Sequence, residues 1–238
     1  MNSLNITREQ YIKNLFESYR LVGVLSKKND CEVLHLRHNK LNRDLVLHSF
    51  PKAVTAYEIL CGINSNNLPE VYDCLTLTDG QIVLEEFISG ITVADVMKSG
   101  KYRYRGAKRV LIAICNALEI LHKNNIVHRD IKPENIIISD TGDVVLIDFN
   151  ISRQITNKPK DTIVMGTVGY ASPEQLGINA TDSRSDIYAM GVLLNVMLTG
   201  KHPSETVVKG KAGKIVKKCT DISPDNRYQS VKKLSEAL

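Results

Sequence analysis

The chain has 238 residues and a formal net charge of +5, with a hydrophobic fraction of 43% and a charged fraction of 24%. That size allows one large domain or two small lobes, and the balance is that of an ordinary globular protein. No apolar run approaches the roughly 18–20 residues that span a bilayer, the polar N-terminus lacks the core of a secretory signal, and five scattered cysteines without a Cys-x-x-Cys pair argue against a zinc site or a disulfide framework. A reducing cytoplasm is the expected compartment. Basic residues gather at 98–109 and 201–218. Such runs are usually solvated surface, and no aromatic side chains are interleaved as a single-strand nucleic-acid platform requires. Neither a nucleic acid nor a membrane segment is therefore expected.

Residues 1–20 read as a helical or irregular lead-in, with Tyr11, Leu15 and Phe16 as its apolar positions. Strand-forming residues then fill 21–25, 31–37 and 45–50, with polar breaks at 26–30 and 38–44, and predict an antiparallel sheet. A helix is predicted over 53–63, stopped by the turn-forming stretch 64–67. Two more strands, 71–76 and 81–85, flank the Asp79-Gly80 turn. The pattern changes after Gly90. Val110, Ile114, Ala117, Leu118 and Leu121 recur at three- and four-residue intervals, marking one face of a helix. Short strands at 136–139 and 144–147 surround Thr141-Gly142, and helices follow over 185–198 and 230–238. The longest apolar run, 189–198, is interrupted by Asn195 and reads as a buried core helix. Strands first and helices later predict an α+β chain with two lobes.

Three clusters carry candidate chemistry. The first is His128-Arg129-Asp130-Ile131-Lys132-Pro133-Glu134-Asn135, a polar loop between two buried elements, where catalytic groups are commonly held. Spacing alone offers Asp130 as a base, with Lys132 and Asn135 close by. The second is Ile147-Asp148-Phe149-Asn150. A carboxylate at the end of a buried strand can hold a hard cation such as Mg²⁺, or simply cap a turn. The third runs from Gly166 to Gln175, Gly-Thr-Val-Gly-Tyr-Ala-Ser-Pro-Glu-Gln, and is by composition a Gly/Pro loop.

In order and spacing these clusters resemble the catalytic loop, the Asp-Phe-Gly stretch and the Ala-Pro-Glu stretch of protein kinases. From about residue 19 to its end the chain is similar to the eukaryotic-like serine/threonine branch of that superfamily. The resemblance implies one kinase domain over 1–238, bilobal and α+β, with a small β-rich N-lobe at about 19–88 and a mainly helical C-lobe at about 91–238. It implies ATP and Mg²⁺ as cofactors and a protein Ser or Thr hydroxyl as acceptor, the chain itself included. Asp130 would orient that hydroxyl and accept its proton, Lys132 would neutralise charge on the transferred group, and Asn135 and Asp148 would hold the metal. Thr167 would touch Asp130 and Lys132. Leu25, Val33, Val46 and Ile137 would enclose the adenine, with backbone groups from Glu86 to Ile88 on its edge. His128 and Asp186 would support the loop, Glu174 would pair with Arg227, and Arg129 would receive a phosphate added to 151–165, at Thr156 or Thr162. The segment 200–227 is short for the family, so the helix that often presents a docking surface there is expected to be missing. Asn150 replaces the family's glycine, a mild change if that position is left-handed, because Asn tolerates such a backbone.

The small lobe departs from the pattern. With Val33 aligned to the valine of the glycine-rich loop, Ser26, Lys28 and Cys31 stand where the glycines belong, and His48 stands where the strand lysine belongs. The helix glutamate becomes Ala56, with Glu58 directed elsewhere, and Glu85 takes the gatekeeper position, usually apolar. His48 is expected in the core or on the surface. Two readings follow: an active serine/threonine kinase in which Lys28 or Lys27 meets the phosphates, or a pseudokinase that senses nucleotide or serves as a scaffold.

Overall fold

The computed structural model describes residues 5–28, 30–155, 166–176 and 181–238. The chain divides into two compact units, Met1–Ser65 with Pro69–Ile88, and Asn66–Leu68 with Ser89–Leu238.

The first unit opens with a helix, α1 (Arg8–Leu15), whose Thr7 and Gln10 close a capping box. Five antiparallel strands follow: β1 (Tyr19–Lys28), β2 (Cys31–His38), β3 (Asp44–Phe50), β4 (Val71–Leu77) and β5 (Gly80–Glu86), in the spatial order β1-β2-β3-β5-β4. Alternation sorts their side chains onto two faces. Leu34, Leu36, Leu45, Leu47, Leu77 and Ile82 form a core on one face, covered by Tyr11, Ile12 and Leu15 of α1. These α1 side chains are only partly buried, so the lead-in helix flanks this unit's core, and each of them contributes less than the roughly 1.5–3 kcal/mol of a fully buried Leu or Ile. The other face carries Val33, Val46, His48, Val83 and Glu85.

Two local expectations are corrected here. Residues 26–28 of the expected polar break are strand, because Lys28 pairs with Cys31 and Lys27 reaches Glu32 across the hairpin at 2.8 Å. The helix predicted over 53–63 is a single short one, α2 (Thr55–Leu60). Its Val54 cap offers no side-chain acceptor, and Gln81 from β5 instead accepts the Val54 N–H at 2.9 Å.

In the second unit a three-stranded sheet, β6-β8-β9, and a two-stranded pair, β7-β10, accompany the helices. The elements are β6 (Gly90–Thr92), α3 (Val93–Lys98), α4 (Tyr104–Lys123), β7 (Ile126–Val127), β8 (Ile136–Ser139), β9 (Val144–Leu146), β10 (Arg153–Gln154), α5 (Ser183–Thr199), α6 (Gly210–Cys219) and α7 (Val231–Ala237). The apolar face of α4 is buried from Ala107 to Leu121, and the helix stops at Asn124. Asn125 is left-handed at φ 58°, a conformation Asn tolerates, and it turns the chain into β7 and the polar loop.

Helix α5 is buried on nearly all sides, with Asp182 as its N-cap. A Cβ at Gly191 would lie 2.3 Å from the Cys219 Cβ, so only glycine lets α6 approach α5 this closely. The segment between Gly200 and Arg227 contains one α-helix, α6, packed on α5, and residues 201–209 before it carry no helix. Asn195, the polar interruption of the apolar run, is buried. Its amide donates to the Lys201 and Thr206 carbonyls and accepts from Val208 N–H, which ties the chain after α5 into place. Among the described residues no helix is long and apolar enough to cross a membrane.

Candidate active site

The polar loop leaves β7 and is fixed from below by Asp186, one turn into α5. Asp186 Oδ2 accepts from the His128 N–H at 3.0 Å and from His122 Nε2 at 2.8 Å, and Oδ1 accepts from the Arg129 N–H at 2.9 Å. Burial pushes the Asp186 carboxyl up, but the His122 contact and the loop amides outweigh it and hold its pKa below the usual range. His128 is fully enclosed. Its Nδ1 accepts from the Asp130 N–H at 3.3 Å and its Nε2 donates to the Ile147 carbonyl at 3.2 Å, which together satisfy a neutral imidazole. Burial lowers its pKa, in keeping with that form.

Arg129 is left-handed at φ 71°, a conformation that costs a non-glycine residue about 1–3 kcal/mol unless its surroundings impose it. Here they do. Asp186 takes its N–H, and Gln175 Nε2 donates to its carbonyl at 2.8 Å. Gln175 reaches that carbonyl past Gly166, where any Cβ would lie 2.9 Å from both Ala171 Cβ and Gln175 Nε2.

The result is a closed set of hydrogen bonds around Asp130. Lys132 Nζ donates to Asp130 Oδ2 at 2.6 Å and to Thr167 Oγ1 at 2.9 Å, and Thr167 Oγ1 donates to Asp130 Oδ1 at 2.6 Å. Asn135 Nδ2 donates to Asp130 Oδ2 at 3.0 Å and to the Asp130 carbonyl at 2.9 Å. Burial pushes the Asp130 pKa up, and Lys132 and Thr167 more than reverse that, so the carboxyl is held below its usual value. Because the Asn135 amide donors serve Asp130, its oxygen is the atom left to face a cation. Ile147 N–H donates to the Asn135 backbone carbonyl at 2.9 Å, which links the loop to the start of the Asp-Phe-Asn stretch.

In that stretch Phe149 is buried against the His128 ring, with centroids 5.3 Å apart. The left-handed residue is Asp148, at φ 68°, and Asn150 is not among the positive-φ residues. This corrects the reason given for tolerating Asn150: its position makes no demand for a left-handed backbone. Asn150 instead donates its N–H to Asp148 Oδ1 at 3.2 Å and helps orient that carboxylate.

Glu174 and Arg227 form a buried bidentate pair, with Nη1–Oε1 at 2.6 Å and Nη2–Oε2 at 2.9 Å. The guanidinium also donates to the carbonyls of Arg184, Asp221 and Ile222, and Ser185 Oγ donates to Glu174.

The candidate nucleotide-facing residues divide by unit. In the first, Val33 and Val46 are buried on the face that carries His48, while Leu25 is 54% exposed at a bulge of β1. Glu86 N–H is already spent on the Glu70 carbonyl at 2.8 Å. Lys28 is exposed at the hairpin tip, and with Arg8, Lys13 and Lys27 it borders a cavity of about 820 Å³ beside α1. In the second unit Ile137 is half-buried on β8, paired with Thr92 and Val145. Thr156 and Thr162 lie outside the described residues.

The position that sequence reasoning left unexplained, Glu85, is buried and accepts from His48 Nε2 at 2.7 Å. His48 is thus a core residue. Glu58 takes a hydrogen bond from Gln81 Nε2 at 3.3 Å and does not replace the missing helix carboxylate. The clue available in sequence was the joint appearance of an ionisable residue at two positions that are separately expected to hold a lysine and an apolar side chain.

Comparison with known proteins agrees with this geometry. The family described as "Protein kinase domain" matches residues 29–238. A probable serine/threonine-protein kinase of Clostridium perfringens is 30% identical over 219 residues, covering 81% of this chain and 32% of that protein. The probable serine/threonine-protein kinase PknB of Bifidobacterium longum is 33% identical over 182 residues, covering 71% and 26%. The serine/threonine-protein kinase PknB of Mycobacterium tuberculosis is 38% identical over 126 residues, covering 51% and 20%. The aligned part of this chain accounts for a third or less of each relative's length. From its hydrogen-bonded loop to the extent of the family match, the chain belongs to the protein kinase family.

Proposed function

We propose that this chain is a catalytically active serine/threonine protein kinase domain, transferring the γ-phosphoryl group of ATP to Ser or Thr hydroxyls of proteins, itself among them. The observation that carries this reading is the closed set formed by Asp130, Lys132, Asn135 and Thr167. A binding module has no physical need of a buried carboxylate held ionised by a lysine, an amide and a hydroxyl. Phosphoryl transfer depends on that kind of positioning and electrostatics.

In this reading Asp130 takes up the acceptor hydroxyl and receives its proton, and Thr167 and Lys132 keep the carboxylate aimed. Lys132 also faces the charge that develops on the transferred oxygens. The Asn135 amide oxygen and the Asp148 carboxylate suit Mg²⁺, which binds through one or two carboxylates and phosphate oxygens and keeps several waters. When bound, the metal would neutralise phosphate charge. In the first unit Leu25, Val33 and Val46 would meet the adenine, with backbone groups of Glu86 and Ile88 on its edge, and in the second Ile137 would do so. Burial, and then the Arg153 cation, depress the Arg129 pKa. A phosphate added within 151–165 would relieve that crowding by pairing with Arg129.

The test is transfer of labelled phosphate from ATP with Mg²⁺ to the chain or to a generic basic protein. One observation favours a nucleotide-sensing or scaffold module instead: the strand-lysine position holds a buried histidine. That reading wins if wild type and Asp130→Asn are equally silent while ATP raises the melting temperature of both.

Lys28 is proposed as the small-unit cation for the phosphates. Lys28→Ala should then weaken ATP binding by about tenfold, equal to about 1.4 kcal/mol, in a calorimetric titration. Unchanged affinity would remove Lys28 from the site.

A further inference from the structure

We propose that Glu85 withdraws position 48 from nucleotide binding, so that the two side chains form a closed pair inside the sheet and the phosphates receive no contact from β3. The proposal rests on the nucleotide-binding reading above and concerns how that same site is built.

The pairing follows from register. Val46 lies opposite Glu85 and His48 opposite Val83 on adjacent strands, so His48 and Glu85 are diagonal neighbours on one face, within reach of long side chains. Their contact is 2.7 Å, and the residues are 3% and 4% exposed. The imidazole is walled in by Phe50, with ring centroids 5.7 Å apart, and by Tyr57 at 5.2 Å, both buried. Their second polar atoms, His48 Nδ1 and Glu85 Oε2, are also shielded and have no hydrogen-bond partner among the described residues. A phosphate group could reach either atom only by displacing the side chains around it.

The substitutions in this unit then explain one another. The family's carboxylate has left helix position 56, where Ala56 is buried, and a carboxylate has appeared at strand position 85. A buried carboxylate needs a partner, and His48 is short enough to supply one within the sheet. Helix α2 is tied to the sheet by an amide side chain instead: Gln81 accepts from Val54 N–H and donates to Glu58.

The experiment measures ATP and adenosine affinity by calorimetry on the full chain carrying Asp130→Asn, which prevents turnover. His48→Lys alone should change ATP affinity by less than about threefold, because Glu85 captures the new ammonium. His48→Lys together with Glu85→Leu should tighten ATP by about tenfold or more and leave adenosine within about twofold. Tightening of ATP by His48→Lys alone, or no gain in the double variant, overturns the proposal and leaves the nucleotide reading intact. Loss of both ligands in every variant, and in the unsubstituted chain, sinks the two together. A second measurement needs no variant at position 48 or 85: the ring ¹⁵N shifts of His48 should be the same with saturating adenosine and with saturating ATP. A shift specific to ATP would show a phosphate contact at His48 and overturn the proposal.

Discussion

Asp130→Asn is expected to lower phosphate incorporation by about 10²–10⁴-fold, the usual contribution of a positioned general base, with little change in ATP affinity. The substitution keeps shape and removes charge. Thr167 would still find an acceptor, but the new amide NH₂ would face the Lys132 ammonium and the Asn135 amide, both donors to Oδ2 in the native chain. The rate loss therefore combines the missing base with a misdirected lysine. Steady-state measurement at saturating ATP should show the loss in kcat. A variant that retains more than about a tenth of the wild-type rate would remove Asp130 from the base role.

The second large effect lies away from the chemistry. Arg227→Met should destabilise the second unit by about 3–5 kcal/mol, the range for breaking a buried ion pair by removing one partner. It leaves Glu174 charged and enclosed, and deprives the Arg184, Asp221 and Ile222 carbonyls of their donor. The double variant Glu174→Leu with Arg227→Met removes both charges and should recover much of that loss. The sign of the pH dependence is set by Glu174. Burial pushes its pKa up, but Arg227, backbone and Ser185 together bring it below the ordinary 4.5. A depressed carboxylate contributes stability above the unfolded value, and that contribution is lost as pH falls through the folded one. The gap between wild type and Arg227→Met in urea melts should thus be full at neutral pH and narrow below about pH 4.5. A gap that widens on acidification would mean the pair is not ionic.

The hydrogen-bonded set around Asp130 was legible because its residues are close in sequence or belong to spaced motifs. Asp130, Lys132 and Asn135 lie within one loop, and Asp186, Glu174 and Arg227 could be named from family spacing. The sheet and the two long helices were legible from alternation and from the apolar face of α4. What escaped depends on register or on backbone geometry. His48 and Glu85 meet because β3 and β5, not consecutive in the chain, are neighbours in the sheet. The left-handed turn falls on Asp148 and not on Asn150. Short elements such as β7 and β10 are two residues each and carry no periodicity. The close approach of α6 to α5 depends on Gly191, whose packing role no local pattern announces.

Asp186 has a consequence for cooperativity. The loop amides of His128 and Arg129 end on one buried carboxylate of α5, so opening the loop by itself would take two of three donors from that charge and leave it with His122 alone. Local fluctuation is the route by which most loop amides exchange with solvent, and here it is blocked. These two amides should exchange deuterium at the rate of the α5 core, through unfolding of the whole second unit. The groups that would perform the chemistry thus fold last-to-leave, with the core that supports them, and not as a mobile surface loop.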